Sequence, residues 1–278
     1  PPGAPSRIPI VAVTGTNGKT TTVRMVSHIL KGTGRKVGMT STDGIMVDER
    51  LIISGDASGP RSARMVLQNP EVDFAVFEVA RGGLLREGLG YERHDVGVVL
   101  NVSNDHLGRH GIDTLEDLAH LKRIVVEAVP RGGYSVLNAD DPLVVEMGNA
   151  SSGEVIWFSM DPDNEVVAAH LRRDGWAVVL ENTDQGETIV LKQGARTLPL
   201  SQVRRLPATF RGRARMMVAN ALAATAAAHA AGIHLHDIRQ GLLSFTPSYA
   251  LAPGRLNVVE VGGVTVVVDY AHNPAGLR

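Results

Sequence analysis

Long apolar runs alternate with segments of helical periodicity over the first half of the chain. Uninterrupted apolar runs at residues 73–79 and 96–102 are typical of strands that are buried on both faces of a parallel sheet. A third run, residues 8–13, precedes a stretch with apolar residues at helical spacing, residues 23–30. We therefore expect an α/β fold, a P-loop-type and mostly parallel sheet with right-handed crossovers and flanking helices.

Weaker patterns predict the remaining elements. Asp113 and Glu116 are spaced as in a capping box and would open a helix that ends near residue 129. Between residues 151 and 205 the pattern becomes that of a β-meander, which we expect to form a smaller and more exposed β-rich subdomain. The other predicted elements are strands at 36–40 and 134–138, hairpins at 44–53 and 256–269, and helices at 62–68 and 217–231.

The sequence GTNGKTTT, residues 15–22, lies between the first apolar run and the first helical stretch. In that context loop N–H groups and a helix N-terminus face a phosphate, Lys19 adds a positive charge, and the hydroxyl of Thr20 can bind Mg²⁺. Val13 stands where the usual P-loop has a glycine, so the generic motif is only partly met. The alternative is a strand-to-helix turn with a surface lysine, but both flanks favour a nucleoside triphosphate site.

Composition excludes several classes of function. The 278 residues include no cysteine, which excludes disulfides, thiolate metal sites and cysteine nucleophiles and fits a cytoplasmic location. The formal net charge of -1 gives no overall basic field for nucleic acid or membranes. No apolar run reaches the roughly 20 residues of a membrane span. Residues 1–7, PPGAPSR, have the composition of an extended linker, and we expect a domain before them.

Three further side chains are candidates for a site. Glu78 lies inside an apolar strand run, where a carboxylate needs a cation such as Mg²⁺ unless it reaches solvent. His106 ends the segment NVSNDH at the same sheet edge, where it could ligate a metal, position a substrate or be structural. Lys122 falls near the border of the apolar face of its helix, where a lysine is usually a surface residue.

These residues lie in segments that resemble the central ATPase domain of the Mur ligase superfamily, which includes folylpolyglutamate synthases. The superfamily likeness rests on the P-loop, on NVSNDH and on DYAHNP at residues 269–274. Within the superfamily, ARGG at residues 80–83 makes the chain most similar to the Mur-ligase-like half of cyanophycin synthetases. Ala80-Arg81 stands where many Mur ligases have a serine, which argues against ligation of peptidoglycan precursors.

The resemblance implies a role for each candidate. Thr20 and Glu78 would bind a first Mg²⁺ and His106 a second. Lys122 has the position of a carbamylated lysine, an anionic metal ligand whose formation needs a neutral amine. Lys19, Glu78, His106 and Lys122 would be catalytic. The residues implied in binding ATP are Gly15, Thr16, Asn17, Gly18, Lys19, Thr20 and Thr21 in the loop, Asn220 near the adenine, and Arg255 and Asp269 near the phosphates and ribose.

The resemblance also implies an activity and a domain order. An ATP-dependent ligase of this kind forms an amide (isopeptide) bond through an acyl phosphate, here joining arginine to the β-carboxylates of a polyaspartate backbone, with Mg²⁺ as cofactor. Residues 8–254 would be the ATP-binding domain with 151–205 as a β-rich insertion, and 255–278 the start of a truncated C-terminal domain. We expect a homo-oligomeric parent with an N-terminal ATP-grasp domain, and a fragment that is inactive alone.

Two alternatives remain open at this stage. Another Mur-type ligase, such as a folylpolyglutamate synthase, would share the loop and differ in its substrates. A nucleotide-binding regulatory module would lack ligase activity altogether. The sequence has no N-K-x-D motif, which argues against a GTPase among such modules.

Overall fold

The computed structural model describes residues 6–105, 107–108, 111–248 and 253–277. Its strands are β1 Ile10–Thr14, β2 Val37–Ser41, β3 Gly44–Val47, β4 Arg50–Ser54, β5 Phe74–Glu78, β6 Val96–Val99, β7 Tyr134–Asn138, β8 Glu154–Ser159, β9 Trp176–Thr183, β10 Gly186–Gln193, β11 Arg196–Gln202, β12 Asn257–Val261 and β13 Val264–Val268. Its helices are α1 Lys19–Gly32, α2 Pro60–Gln68, α3 Arg81–Glu87, α4 Leu115–Glu127, α5 Pro142–Met147, α6 Glu165–Leu171, α7 Arg215–Ala230, α8 Leu235–Ser244 and α9 Pro274–Leu277.

One large sheet dominates the described part of the chain. Its strand order is β11-β10-β9-β8-β7-β6-β1-β5-β2-β3-β4. The strands from β9 to β2 in this order are parallel, and antiparallel strands continue the sheet at both edges. The expected α/β class with a mostly parallel sheet is therefore confirmed. Because β1 lies between β5 and β6, the carboxyl ends of these three strands adjoin where ligands collect in such sheets.

Helices cover both faces of the sheet. On one face α1, α7 and α8 pack together in the largest apolar cluster, which includes Ile29, Leu222 and Phe245. The other face carries α2, α3, α4, α5 and α6. The central strands are buried throughout, as their uninterrupted apolar sequences predict. Within the described residues no helix combines the length and apolar character needed to cross a membrane.

The capping box of α4 lies one residue later than expected. Thr114, and not Asp113, is the N-cap, because its hydroxyl accepts the N–H of Asp117 at 3.1 Å. The carboxylate of Asp117 in turn accepts the N–H of Thr114 at 3.0 Å. The predicted pairing of Asp113 with Glu116 is wrong, since the shorter Asp117 side chain closes the box instead.

The β-rich stretch 151–205 continues the central sheet. β8 pairs parallel to β7, and β9, β10 and β11 extend the same sheet to its edge. Val178, Leu180 and Ile189 of this stretch belong to the main apolar cluster. The stretch is attached to the same domain, as expected, but it is less exposed than expected, because these side chains pack under α7. A second, two-stranded sheet contains β12 and β13, the predicted hairpin near residue 262.

Candidate active site

The loop between β1 and α1 turns through a left-handed glycine. Gly18 has a φ of 87° and is the N-cap residue of α1. A Cβ at Gly18 would lie 2.3 Å from Oδ1 of Asn220 on α7. Both the backbone conformation and the available space therefore require glycine. The start of α1 and the middle of α7 meet here, and residues of both line one cavity of about 430 Å³.

Asn101, directly after β6, holds the loop through its side chain. Its Oδ1 accepts the N–H groups of Thr16 and Asn17 at 3.1 and 2.9 Å. Its Nδ2 donates to the carbonyl oxygen of Asn17 at 3.2 Å. Sequence reasoning placed the NVSNDH segment at this edge but missed the role of Asn101. The signal was its position immediately after a buried strand.

Thr20 and Glu78 meet where α1 and β5 adjoin. The Thr20 hydroxyl donates to Oε2 of Glu78 at 2.8 Å, and the N–H of Thr42 donates to the same oxygen at 3.2 Å. Glu78 is 2% exposed, so the alternative of a glutamate that reaches solvent is wrong. A buried carboxylate and a hydroxyl are oxygen donors of the kind that Mg²⁺ prefers, and a cation would offset the burial of the negative charge.

The described residues supply only some of the ligands that a metal ion needs. They contain no group of three His, Cys, Asp or Glu side chains placed to hold a metal ion. Thr20 and Glu78 therefore fit a cation whose remaining ligands come from outside these residues, such as phosphate oxygens and water. His106 lies outside the described residues, so its predicted metal role stays a prediction. Its neighbour Asp105 has Oδ1 3.8 Å from Nε2 of His272.

Arg255 reaches the same cluster from the C-terminal part of the chain. Its Nη2 donates to the hydroxyls of Thr20 and Thr42, both at 3.2 Å. The guanidinium carbon lies 5.0 Å from the centre of the Tyr270 ring. A guanidinium fixed in this way beside the loop is suited to a phosphate. Thr42 was not predicted as a site residue, because the sequence gives no sign that β2 ends beside β5.

Asp269 lines the same cavity and also has a structural task. Its Oδ2 accepts the N–H of Leu256 and its Oδ1 accepts the N–H of Ala271, each at 2.7 Å. The carboxylate thus joins the two ends of the β12–β13 hairpin. Its predicted contact with a ribose stays a prediction.

Two lysine amines contact the loop, that of the half-buried Lys19 at the start of α1 and that of the buried Lys122 on α4. Nζ of Lys19 donates to the carbonyl oxygen of Thr16 at 2.9 Å, and Nζ of Lys122 donates to that of Gly15 at 2.8 Å. Lys122 is 2% exposed, so the expectation of a surface lysine is wrong. Burial lowers the pKa of Lys19. Burial, and next the charge of Lys19, lower the pKa of Lys122 well below the usual lysine value.

Two cavities meet at Lys19. The first, of about 430 Å³, is lined by the loop and the start of α1 together with Asn220, Arg255 and Asp269. The second, of about 520 Å³, is lined among others by Asp56, Arg81, Asp105 and Lys122. Thr16 and Lys19 border both. A phosphate chain in the first cavity and a second reactant in the other would therefore both contact Lys19.

Most of the predicted site residues share the first cavity. They are Thr16, Asn17, Gly18, Lys19, Thr20, Thr21, Glu78, Asn220, Arg255 and Asp269. Gly15 and Lys122 line the second cavity. The side chains of residues from four separate segments of the chain thus surround one loop, although their assigned roles stay predictions.

A sequence profile of the Mur ligase middle domain matches residues 13–228 of this chain. The cyanophycin synthetase of Crocosphaera subtropica is 51% identical over 276 residues, which cover 99% of this chain and 31% of that protein. The chain thus spans about a third of the length of the cyanophycin synthetases to which it is similar.

Solved structures show the same fold at low sequence identity. MurF from Acinetobacter baumannii aligns with a TM-score of 0.68 and 23% identity over 98% of this chain and 52% of its own. The folylpolyglutamate synthase of Mycobacterium tuberculosis, solved in complex with ADP and AMPPCP, aligns with a TM-score of 0.64 and 22% identity. That alignment covers 98% of this chain and 65% of the synthase.

Proposed function

The chain belongs to the Mur ligase family through its middle domain, and from that premise we propose that it is the ATP-binding part of an ATP-dependent amide ligase. The observation that carries the proposal is the junction of two cavities at Lys19, with Thr20 and Glu78 hydrogen bonded beside it. Such a junction brings a nucleotide and a second reactant to one place. A regulatory nucleotide switch has no need of the second cavity.

The reaction requires activation of a carboxylate, because a carboxylate is a poor acylating agent. Transfer of the γ-phosphoryl group of ATP to the acid gives an acyl phosphate, and attack by an amine then forms the amide and releases phosphate. Two anionic reactants must approach each other in the first step. Lys19 and Arg255 supply positive charge there, and their side chains are held by hydrogen bonds to Thr16, Thr20 and Thr42.

We propose that Thr20 and Glu78 hold Mg²⁺ together with the nucleotide. When bound there, the metal would neutralise charge on the phosphates and orient them. Asn101 keeps the loop in shape, and Asn220 borders the cavity where the family carries its adenine contact. We also propose His106 as a ligand of a second metal ion and Asp269 as a contact of the ribose.

Lys122 is proposed as a carbamylated lysine. The lowered pKa favours the neutral amine, which is the form that reacts with CO₂. The product would be an anion next to Lys19, whose positive charge would stabilise it. Incorporation of ¹³C-labelled CO₂ into the wild type, and its loss in Lys122→Met, tests this directly.

The relatives that are about 50% identical to this chain favour one pair of substrates. Their names assign them to cyanophycin synthesis, and we propose that this chain joins arginine to the β-carboxylates of an aspartate polymer. We further propose residues 8–254 as the ATP-binding domain and 255–278 as the start of the next one. A homo-oligomeric protein with an N-terminal ATP-grasp domain, active in the cytoplasm, is part of the same proposal.

Acceptor-dependent release of phosphate by the full-length protein tests the function. We expect release from ATP with an aspartate polymer and arginine together, and little with either alone. Glutamate with a folate acceptor is the comparison that separates a folylpolyglutamate synthase. Equal release without any acceptor would overturn the ligase proposal in favour of a nucleotide-hydrolysing module. We expect the 278-residue chain alone to be inactive in the same assay, and arginine incorporation at the full-length rate would contradict that.

A further inference from the structure

Two arginines of α3 border the second cavity. Arg81 begins the helix and Arg86 lies in its last turn. A Cβ built on Gly82 would lie 3.5 Å from Nη1 and 3.7 Å from Nη2 of Arg86. The guanidinium of Arg86 therefore folds back against the first turn of α3, where Arg81 is. Arg81 and the guanidinium of Arg86 thus lie at the same end of the helix, and both residues line the same cavity.

The position of α3 is fixed by close packing. A Cβ on Gly83 would lie 3.1 Å from Cα of Gly59 and 3.3 Å from Cδ of Pro60. The helix therefore contacts the segment before α2 backbone to backbone, which any larger residue at 83 would prevent. A rigid support of this kind is what a binding group needs if it is to hold a ligand in one orientation.

The α3 side of the second cavity favours an anionic ligand. Arg81 and Arg86 contribute positive groups there, and Lys19, Asp56 and Asp105 line the same cavity. In the described part of the chain Arg86 has no salt bridge or side-chain hydrogen bond, and its side chain is exposed. Its positive charge is therefore available to a ligand.

We propose that Arg81 and Arg86 bind a carboxylate of the acceptor other than the one that is phosphorylated. The proposal rests on the ligase function proposed above and names its acceptor as an acid with at least two carboxylates. A carboxylate held by a pair of guanidinium groups is a poor nucleophile, because its lone pairs are engaged in charge-assisted hydrogen bonds. The arginines therefore suit a carboxylate that anchors the acceptor, while the reacting one lies at Lys19.

Steady-state kinetics of the full-length protein test the proposal. We expect Arg86→Ala to raise the KM for an aspartate-containing peptide about tenfold or more, with kcat and the KM for ATP within about twofold. Arg81→Ala should act in the same direction. Arg86→Lys should recover part of the loss, since it keeps the charge but not the planar fork. Arg61→Ala is the matched control, because Arg61 is 84% exposed and pairs with Glu87 outside the cavity.

Two altered acceptors identify the anchored group. One peptide has its C-terminal carboxylate replaced by an amide, and the other has the aspartate next to the acceptor residue replaced by asparagine. The wild type should bind one of them about tenfold more weakly than the parent peptide. Arg86→Ala should no longer distinguish that peptide from the parent, because the partner of the missing carboxylate is gone.

The kinetic constants distinguish a failure of the carboxylate proposal from a failure of the ligase proposal. An increase confined to the KM of the amine substrate would overturn the proposal and assign the arginines to the carboxylate of the incoming amino acid. Unchanged constants for both variants would overturn it as well. If the wild type releases no phosphate with any acceptor, the ligase proposal fails. Titration of the acidic peptide into the wild type and Arg86→Ala then still decides whether the arginines bind a carboxylate.

Discussion

The side-chain amides of Asn17 and Asn273 exchange two hydrogen bonds across 256 positions of sequence. Nδ2 of Asn17 donates to Oδ1 of Asn273 at 3.1 Å, and Nδ2 of Asn273 donates to Oδ1 of Asn17 at 3.0 Å. Oδ1 of Asn273 also accepts the N–H of Gly276 at 2.8 Å, so the same amide caps α9. These hydrogen bonds therefore join the loop between β1 and α1 to the C-terminal segment.

Removal of this amide pair should release the C-terminal segment. In Asn273→Ala the amide of Asn17 loses its partner and α9 loses its cap, which together cost about 1–3 kcal/mol locally. We expect faster hydrogen exchange at residues 275–277 and little change in the central strands. Asn17→Ala should have a similar effect. If the double variant shows the full sum of both single effects, the two amides are not coupled.

Gly18→Ala should impair nucleotide binding more than stability alone explains. The left-handed backbone costs an alanine roughly 1 kcal/mol, and its Cβ would also collide with Oδ1 of Asn220 at 2.3 Å. Gly34→Ala is a matched control, since Gly34 has nearly the same φ, 85°, but no atom within 4 Å of the built Cβ. Calorimetric titration with a non-hydrolysable ATP analogue should show weaker binding for Gly18→Ala. Equal binding by both variants would contradict the assigned contact.

The elements of the central sheet were predictable because parallel strands need uninterrupted apolar sequence. β1, β5, β6 and β7 were all predicted within two or three residues, and so was α7. The short helices α3, α5, α6 and α8 were missed. For α5 a signal was present, since Asp141 caps the helix and Pro142 occupies its first position. For α3 no pattern was available, because two of its seven residues are glycine.

The site was less predictable than the sheet. Lys122 appeared to be a surface lysine because periodicity describes one helix, whereas its burial depends on the loop of β1 and on α3 beside α4. The contacts of Thr42 and Arg255 with Thr20 join three distant segments, and no spacing rule connects them. The apolar strand run identified Glu78 as a group that needs compensation, and the resemblance named Thr20 as its partner and Arg255 as a phosphate contact. Neither pointed to Thr42, whose N–H also donates to Glu78.

Glu78→Gln should separate nucleotide binding from phosphoryl transfer. The amide keeps the size of the side chain but removes the negative charge beside Thr20 that would hold Mg²⁺. We expect acceptor-dependent phosphate release by the full-length protein to fall about 10²-fold or more. Binding of the ATP analogue without Mg²⁺ should be unchanged or tighter. Glu71→Gln is the control for the change in charge, because Glu71 is exposed. Full turnover in Glu78→Gln would favour a function other than ligation.

His94 should make the fold sensitive to mild acid. Burial lowers its pKa to about 4, although its Nε2 lies 2.7 Å from the carbonyl oxygen of Val125. Between pH 6.5 and 4 the unfolded chain binds a proton that the folded one does not, so stability falls as the pH falls. The change amounts to about 3 kcal/mol. Denaturant unfolding at several pH values should show a shallower loss in His94→Gln, whereas the exposed His236→Gln should follow the wild type.

Lys122 should make the free energy of unfolding depend on pH in the alkaline range. Its pKa is lowered in the folded protein, chiefly by burial, so the unfolded chain holds more protons between that lowered pKa and about 10.5. The free energy of unfolding should therefore rise with pH through this range and level off above it. In Lys122→Met the rise should be smaller, because the buried amine is gone.

The measurement requires CO₂-free buffer, since a carbamate on Lys122 would reverse the charge that is being titrated. Lys36→Met is the control, because Lys36 is exposed and its substitution should leave the slope unchanged. A slope in Lys122→Met equal to that of the wild type would show that the amine is not desolvated in the folded protein. It would then also lack the neutral form on which carbamylation depends.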